Sequence, residues 1–173
     1  MAKISITRAD VIAVMNTLTA VVETKQGQFS SNFKYAQVRN KKYFKDEYET
    51  LLEIAKDKFA KFVTAKKIID EDLCTKESDG TLKREQAPAG GYPVMMIGGV
   101  LPENVYVVPV DKRTEYGTRI AEAQETLLAP ASKEFEALLR NEVEVDVYKV
   151  NMSELPRELG EGDIFNLFTI IEG

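Results

Sequence analysis

The chain contains no histidine, no tryptophan and a single cysteine in 173 residues. Without histidine it lacks the commonest general acid or base near neutral pH, the usual partner of a nucleophilic serine or cysteine, and the commonest zinc ligand. Cys74 has no second cysteine with which to close a disulfide and no histidine with which to share a zinc ion, which fits a reducing intracellular setting. The opening MAKISITRAD does not have the charged-then-apolar layout of a signal peptide. No apolar run approaches the roughly 18 residues of a spanning helix, so the expectation is a cytoplasmic protein with no membrane role. Gly-rich phosphate loops are missing too: Gly90-Gly91 and Gly98-Gly99 fit neither GxGxxG nor GxxxxGK[ST], and turn formation explains them.

What is present is ordinary for a soluble globular chain, with 44% apolar and 29% charged residues. The net charge of −5 and a pI near 5.0 weigh against broad attraction to nucleic acid or an anionic membrane, while leaving room for a local basic patch. The length suits one domain over residues 1–173, with 78–111 as an inserted loop and β-hairpin.

Ile4 and Ile6 alternate with Lys3, Ser5 and Thr7, as in a half-buried strand. Thr7 and Asp10 then have the spacing of a capping box, and Val11, Val14, Met15, Leu18, Val21 and Val22 recur at helical spacing, so a helix is expected over 8–24. Gly27 sits where its stop belongs. A second helix begins after the capping residues Ser30, Ser31 and Asn32. Its apolar positions include Phe44, Tyr48, Leu51, Ala55, Phe59, Phe62 and Ile69, and neither Gly nor Pro interrupts the run before Gly80. About 40 helical residues measure about 60 Å, too long for a compact domain, so part of this helix needs a partner. The stripe Tyr116, Ile120, Ala123, Leu127, Leu128, Phe135, Leu138 and Leu139 supplies one over 112–141, with a kink or break at Pro130. The simplest packing is a long antiparallel helical hairpin.

Between these helices SDGTLKREQAPAGG reads as a loop, and YPVMMIGG and VYVVPV as two strands around GVLPEN, a β-hairpin near the helical tip. EVEVDVYKV alternates strictly and is the natural partner of residues 3–7, giving a small terminal sheet of 3–7 with 143–150. Ser153 is expected to cap a short turn. Asp163 is expected to cap a last segment over Ile164–Ile171 that fits helix or strand. The fold class is thus α+β and mostly helical.

The cluster Lys34, Arg39, Lys41, Lys42 and Lys45, interleaved with Phe33, Tyr35, Tyr43 and Phe44, suits phosphate contact and base stacking. The aromatics also share the spacing of the core stripe, and Asp46, Glu47 and Glu49 follow at once. A solvated helix face, a protein-binding face and a nucleic-acid surface all remain open. Glu142, Glu144 and Asp146 lie in a row rather than converging, and Asp70, Glu71 and Asp72 read as solvated surface, so neither group makes a metal site. Cys74 stands near Lys66, Lys67 and Lys76 but has no base, which leaves thiol catalysis without support. Tyr92, Met95, Met96 and Tyr106 are materials favoured at protein interfaces, and the expected hairpin has one side with no evident cover while the other can bury against the helix ends, so both an interface and a local core remain open.

The segment FKYAQVRN (Phe33 to Asn40), the Tyr48-Glu49 pair and the strand EVEVDVYKV together resemble the tailed-phage "domain of unknown function 1617" family. The resemblance implies a small phage protein, of the kind encoded near structural or lysis genes, with no activity to assign to particular residues. The insert YPVMMIGGVLPENVYVVPV departs from that pattern. The resulting expectation is a non-enzymatic protein without cofactors, acting through protein contacts as a minor virion or assembly component and forming a homo-oligomer. An alternative is a phage inhibitor that binds a host enzyme or defence protein. The candidate partner-binding residues are Tyr92, Met95, Met96, Tyr106, Lys41, Lys42 and Lys45.

Overall fold

The computed structural model describes residues 2–24, 29–86, 104–157 and 159–172, and in it the N-terminal alternation forms a strand, β1 (Ala2–Thr7). β1 pairs antiparallel with β4 (Glu142–Val147), setting Ile4 opposite Val145 and Ile6 opposite Val143. These β-branched pairs share one face, but a two-stranded sheet is marginal alone and needs a covering layer. α1 (Arg8–Thr24) supplies part of it through Val11, Val14, Met15 and Leu18, all buried at three- and four-residue steps. Its start is the expected capping box: Thr7 N–H donates to Asp10 Oδ2 at 3.1 Å, and Asp10 N–H donates to Thr7 Oγ1 at 3.2 Å. Gly27 lies outside the described residues.

α2 runs unbroken over Ser31–Leu73, and Ser30 Oγ accepts from Phe33 N–H at 3.1 Å to cap it. The chain forms two compact units, Met1–Ile54 with Glu136–Gly173, and Ala55–Phe135, and α2 contributes to both.

In the first unit α2 buries Phe33, Ala36, Phe44 and Leu51 beside the sheet and α1, together with two polar residues, Gln37 and Asn40. Buried amides are tolerated only when paired. Gln37 Nε2 donates to Leu18 O at 2.9 Å. Asn40, fully buried, is satisfied twice: its Nδ2 donates to Tyr148 O at 2.9 Å and its Oδ1 accepts from Tyr148 N–H at 2.7 Å. Arg8 adds a largely covered ion pair from the start of α1, its Nε lying 2.6 Å from Glu47 Oε1.

The C-terminal segment resolves the helix-or-strand alternative by being both in succession. β5 (Val150–Asn151) is followed by a 3-10 turn Met152–Glu154, then α5 (Glu161–Asn166), a 3-10 turn Phe168–Ile170, and β6 (Ile171–Glu172) parallel to β5. The short turn is capped by Asn151, whose Oδ1 accepts from Ser153 N–H, and not by Ser153. Asp163 does serve the start of the last helix, accepting from Gly160 N–H at 3.1 Å.

In the second unit α2 faces α3 (Arg113–Ala123) and the first part of α4 (Ala129–Leu139), whose last residues belong to the first unit. Ile69, Leu73 and Ala123 form a small core, flanked by Phe62, Ala65, Tyr116 and Ile120. The break expected at Pro130 is a π-turn over Gln124–Leu128, where Ala129 N–H bonds to Gln124 O five residues back. Proline supplies no N–H at the next position, so the wider turn reseats the ladder before the helix resumes.

Within the loop expected over 78–91, the described residues 78–86 are more ordered than their composition suggested. Gly80, at φ +84°, turns the chain, and Thr81 N–H and Oγ1 both bond to Asp79 Oδ1. Arg84–Gln86 is then strand β2, antiparallel to β3 (Asn104–Tyr106). β2 is thus a strand where the polar composition pointed to a loop, and it is the partner that β3 shows among the described residues. The expected strand Tyr92–Gly99 lies outside them. Among the described residues no helix is long and apolar enough to cross a membrane.

Because Asn40 satisfies both backbone groups of Tyr148, Asn40→Ala should cost about 2–4 kcal/mol in urea denaturation, the two bonds and the groups left unsatisfied being felt together. A loss below about 0.5 kcal/mol would mean that the pair contributes little.

Candidate interaction surface

Successive residues of α2 turn by about 100°, so the side opposite Asn40 carries Lys34, Tyr35, Val38, Lys41, Lys42 and Lys45. Phe33 and Phe44 are wholly buried, whereas Tyr35 is 52% and Val38 67% exposed. The sequence pattern grouped Tyr35 with the core aromatics; two residues from Phe33, it points the other way. Residues 31–45 hold five cations and no acid, within a chain of net charge −5. The result is one helical face with exposed apolar residues among lysines. It ends one turn on, where Lys45 Nζ lies 3.6 Å from Glu49.

A supporting cluster stands beside this face. The Tyr35 ring meets Tyr148 edge-on at 5.2 Å, and the Arg39 guanidinium lies 5.9 Å from the Tyr35 ring centre and 5.2 Å from that of Tyr43. Arg39 also donates through Nη2 to the Tyr43 hydroxyl, while its buried Nε finds no acceptor among the described residues. Tyr148 is therefore held by its backbone through Asn40 and by its ring through Tyr35. No local pattern of residues signals this bridge.

In the second unit, the described part of the insert contributes Tyr106. Its ring lies 5.1 Å from the Arg84 guanidinium and 5.7 Å from the Lys66 ammonium, and its hydroxyl accepts from Arg84 Nη2 at 3.2 Å. A broad, shallow depression of about 680 Å³ opens beside it, bordered by Glu71, Lys76, Thr81 and Arg84. Its rim mixes both signs of charge, and among the described residues it brings no nucleophile up to a base. Tyr92, Met95 and Met96 lie outside the described residues, and so do both glycine pairs.

Asp70 departs from the expectation of solvated surface. It is buried, accepting from Lys66 Nζ at 2.6 Å and from the Tyr116 hydroxyl at 2.8 Å, because α3 places that phenol over the end of α2. Glu71 and Asp72 remain exposed, Asp72 pairing with Arg119 at 3.0 Å. Cys74 is buried next to this group. Burial pushes its thiol above the ordinary value and the Asp70 charge adds to that, while Lys66 acts the other way. Such a thiol is a poor nucleophile. Tyr116 is also held above the ordinary phenol range, first by burial and then by its bond to Asp70 and the charge there. Two acids of β4 take surface partners, with Glu142 accepting from Ser5 Oγ and Glu144 lying 3.9 Å from Lys3. Among the described residues no three potential ligands gather to hold a metal ion.

The raised thiol and phenol values give alkaline sensitivity a definite sign. A group whose pKa is higher folded than unfolded adds stability that is full below the ordinary pKa and is lost as pH rises through the folded value. Urea midpoints should therefore fall from about pH 8 upward, and Tyr116→Phe should flatten the part of the fall above about pH 10. An identical slope in the variant would show that Tyr116 does not titrate against folding.

No family model, curated protein or solved structure matches this chain.

Proposed function

We propose that this is a non-enzymatic, phage-encoded protein that works by protein contact, as a minor virion or assembly component. The observation that carries the reading is the α2 face, where Tyr35 and Val38 are more than half exposed among four lysines. Large apolar side chains held in water on a rigid helix are suited to burial against a partner, and the surrounding lysines select that partner by charge. The phage origin rests on the resemblance carried by FKYAQVRN and EVEVDVYKV. Support against catalysis comes from the sequence, which has no histidine, and from Cys74, buried with a raised pKa.

The finer architecture belongs to the same proposal. Lys58 pairs with Glu134, Phe59 with Phe135, Asp70 with Tyr116 and Asp72 with Arg119, so the contacts run in opposite order along α2 and along α3 and α4. That order supports an antiparallel helical hairpin. Tyr106, with Tyr92, Met95 and Met96 of the same insert, is a second candidate contact region.

Tagged protein should capture phage structural proteins from infected cells, and the charge reversals K41E, K42E and K45E together should reduce that capture at least about tenfold, about 1.4 kcal/mol. Capture of a host enzyme or defence protein from uninfected lysate would instead favour the inhibitor reading. Binding to neither, with an unchanged result for the reversal variant, would end the proposal.

A further inference from the structure

The first unit carries a second unusual surface. Phe165 and Phe168 are 81% and 74% exposed, more than any other aromatic side chain among the described residues. The local geometry explains why they face out: Leu167, Ile170 and Ile171 take the core positions, and Asn166 Nδ2 bonds to Thr17 Oγ1 at 3.2 Å, fixing α5 against α1. Residues three apart on the outer side then stand in water. The segment that bears them is acidic in sequence, although Lys149 Nζ donates to Thr169 O at 2.8 Å next to Phe168. From Met152 to Gly173 the sequence holds five acids against the one cation Arg157, and exposed Glu161 lies one helical turn before Phe165.

We infer that the Phe165 and Phe168 knob of one copy docks on the Lys34 to Lys45 face of a second copy of this chain. The two surfaces match in kind: one is apolar on an acidic segment with exposed Glu161 a turn away, the other apolar among lysines. A single contact of this type covers Tyr35, Val38, Phe165 and Phe168 and brings Glu161 toward lysines. Both surfaces belong to the same compact unit, where both remain exposed, so one chain does not satisfy itself. A contact of the basic face with its own copy would instead oppose lysine to lysine. The contact is therefore heterologous, using a different surface from each partner. It deepens the protein-contact reading above by naming the partner.

Sedimentation velocity and light scattering on the full chain test the inference. The wild type should self-associate from micromolar to near-millimolar concentration, and added salt should weaken the association. K41E/K42E and F165D/F168D should each remain monomeric, with far-ultraviolet circular dichroism and thermal midpoints like the wild type, because all four positions lie outside the core. Mixed in equal amounts, the two variants should form a one-to-one dimer, since each retains the surface that the other lacks. A wild type that stays monomeric throughout, or a mixture no more associated than its components, overturns the inference. Capture of another protein that is lost in K41E/K42E, alongside a monomeric wild type, would overturn self-docking alone and leave the contact reading standing. Loss of neither capture nor association in that variant would refute both.

Discussion

The buried amide of Asn40 fixes what α2 does. A carboxamide with no exposure is costly unless both of its ends are bonded, and the backbone of Tyr148, just past the end of β4, supplies a donor and an acceptor at the right separation. That pairing ties α2 to the sheet in one rotational setting, which Phe33, Gln37 and Phe44 reinforce on the same side. Turning the helix by one residue would bury lysine and leave Asn40 unpaired. The direction in which Tyr35, Val38 and the lysines point is therefore a consequence of core chemistry.

Charge is distributed with the same consistency. A chain of net charge −5 keeps a fifteen-residue stretch free of acids, and the stretch coincides with the part of α2 that covers the sheet. Glu47, two residues beyond it, turns to Arg8, and Glu49 to Lys45. The C-terminal segment carries the opposite bias beside its two outward phenylalanines. Isolated exposed apolar residues need no explanation, but two small clusters on segments of opposite charge within one unit are the pattern expected of surfaces that meet. In the second unit burial produces a different result. Asp70 is held by Lys66 and Tyr116, and the neighbouring thiol is made less reactive, a structural use of groups that elsewhere serve catalysis.

The local structure was largely legible in the sequence, because its signals are local. The Thr7 and Asp10 box, the stripe from Val11 to Leu18, the start of α2 at Ser30 and the alternation of β4 all report on neighbours within a few residues. Pro130 announced a break, although the π-turn that accommodates it could not be read from composition. Features that depend on distant partners were hidden. Asn40 and Tyr148 lie 108 positions apart, and Asp70 and Tyr116 lie 46 apart, so no window of sequence contains either pair. Tyr35 was misread because a run rich in aromatics fits several helical faces until a buried neighbour fixes the phase. Arg84–Gln86 was misread because strand pairing with Asn104–Tyr106 overrode a polar composition. The lysines of the candidate face were visible from the start; that Val38 completes it, and that Phe165 and Phe168 stand in water, required the fold.

The central claim is that the outward face of α2 is a docking surface for another copy. Its most direct test is a photoreactive amino acid in place of Val38, irradiated in a mixture of isotopically light and heavy protein. Crosslinks between light and heavy chains that map to residues 161–172 are the result expected. Crosslinks confined to single chains, or scattered over the partner without preference for that segment, would contradict it.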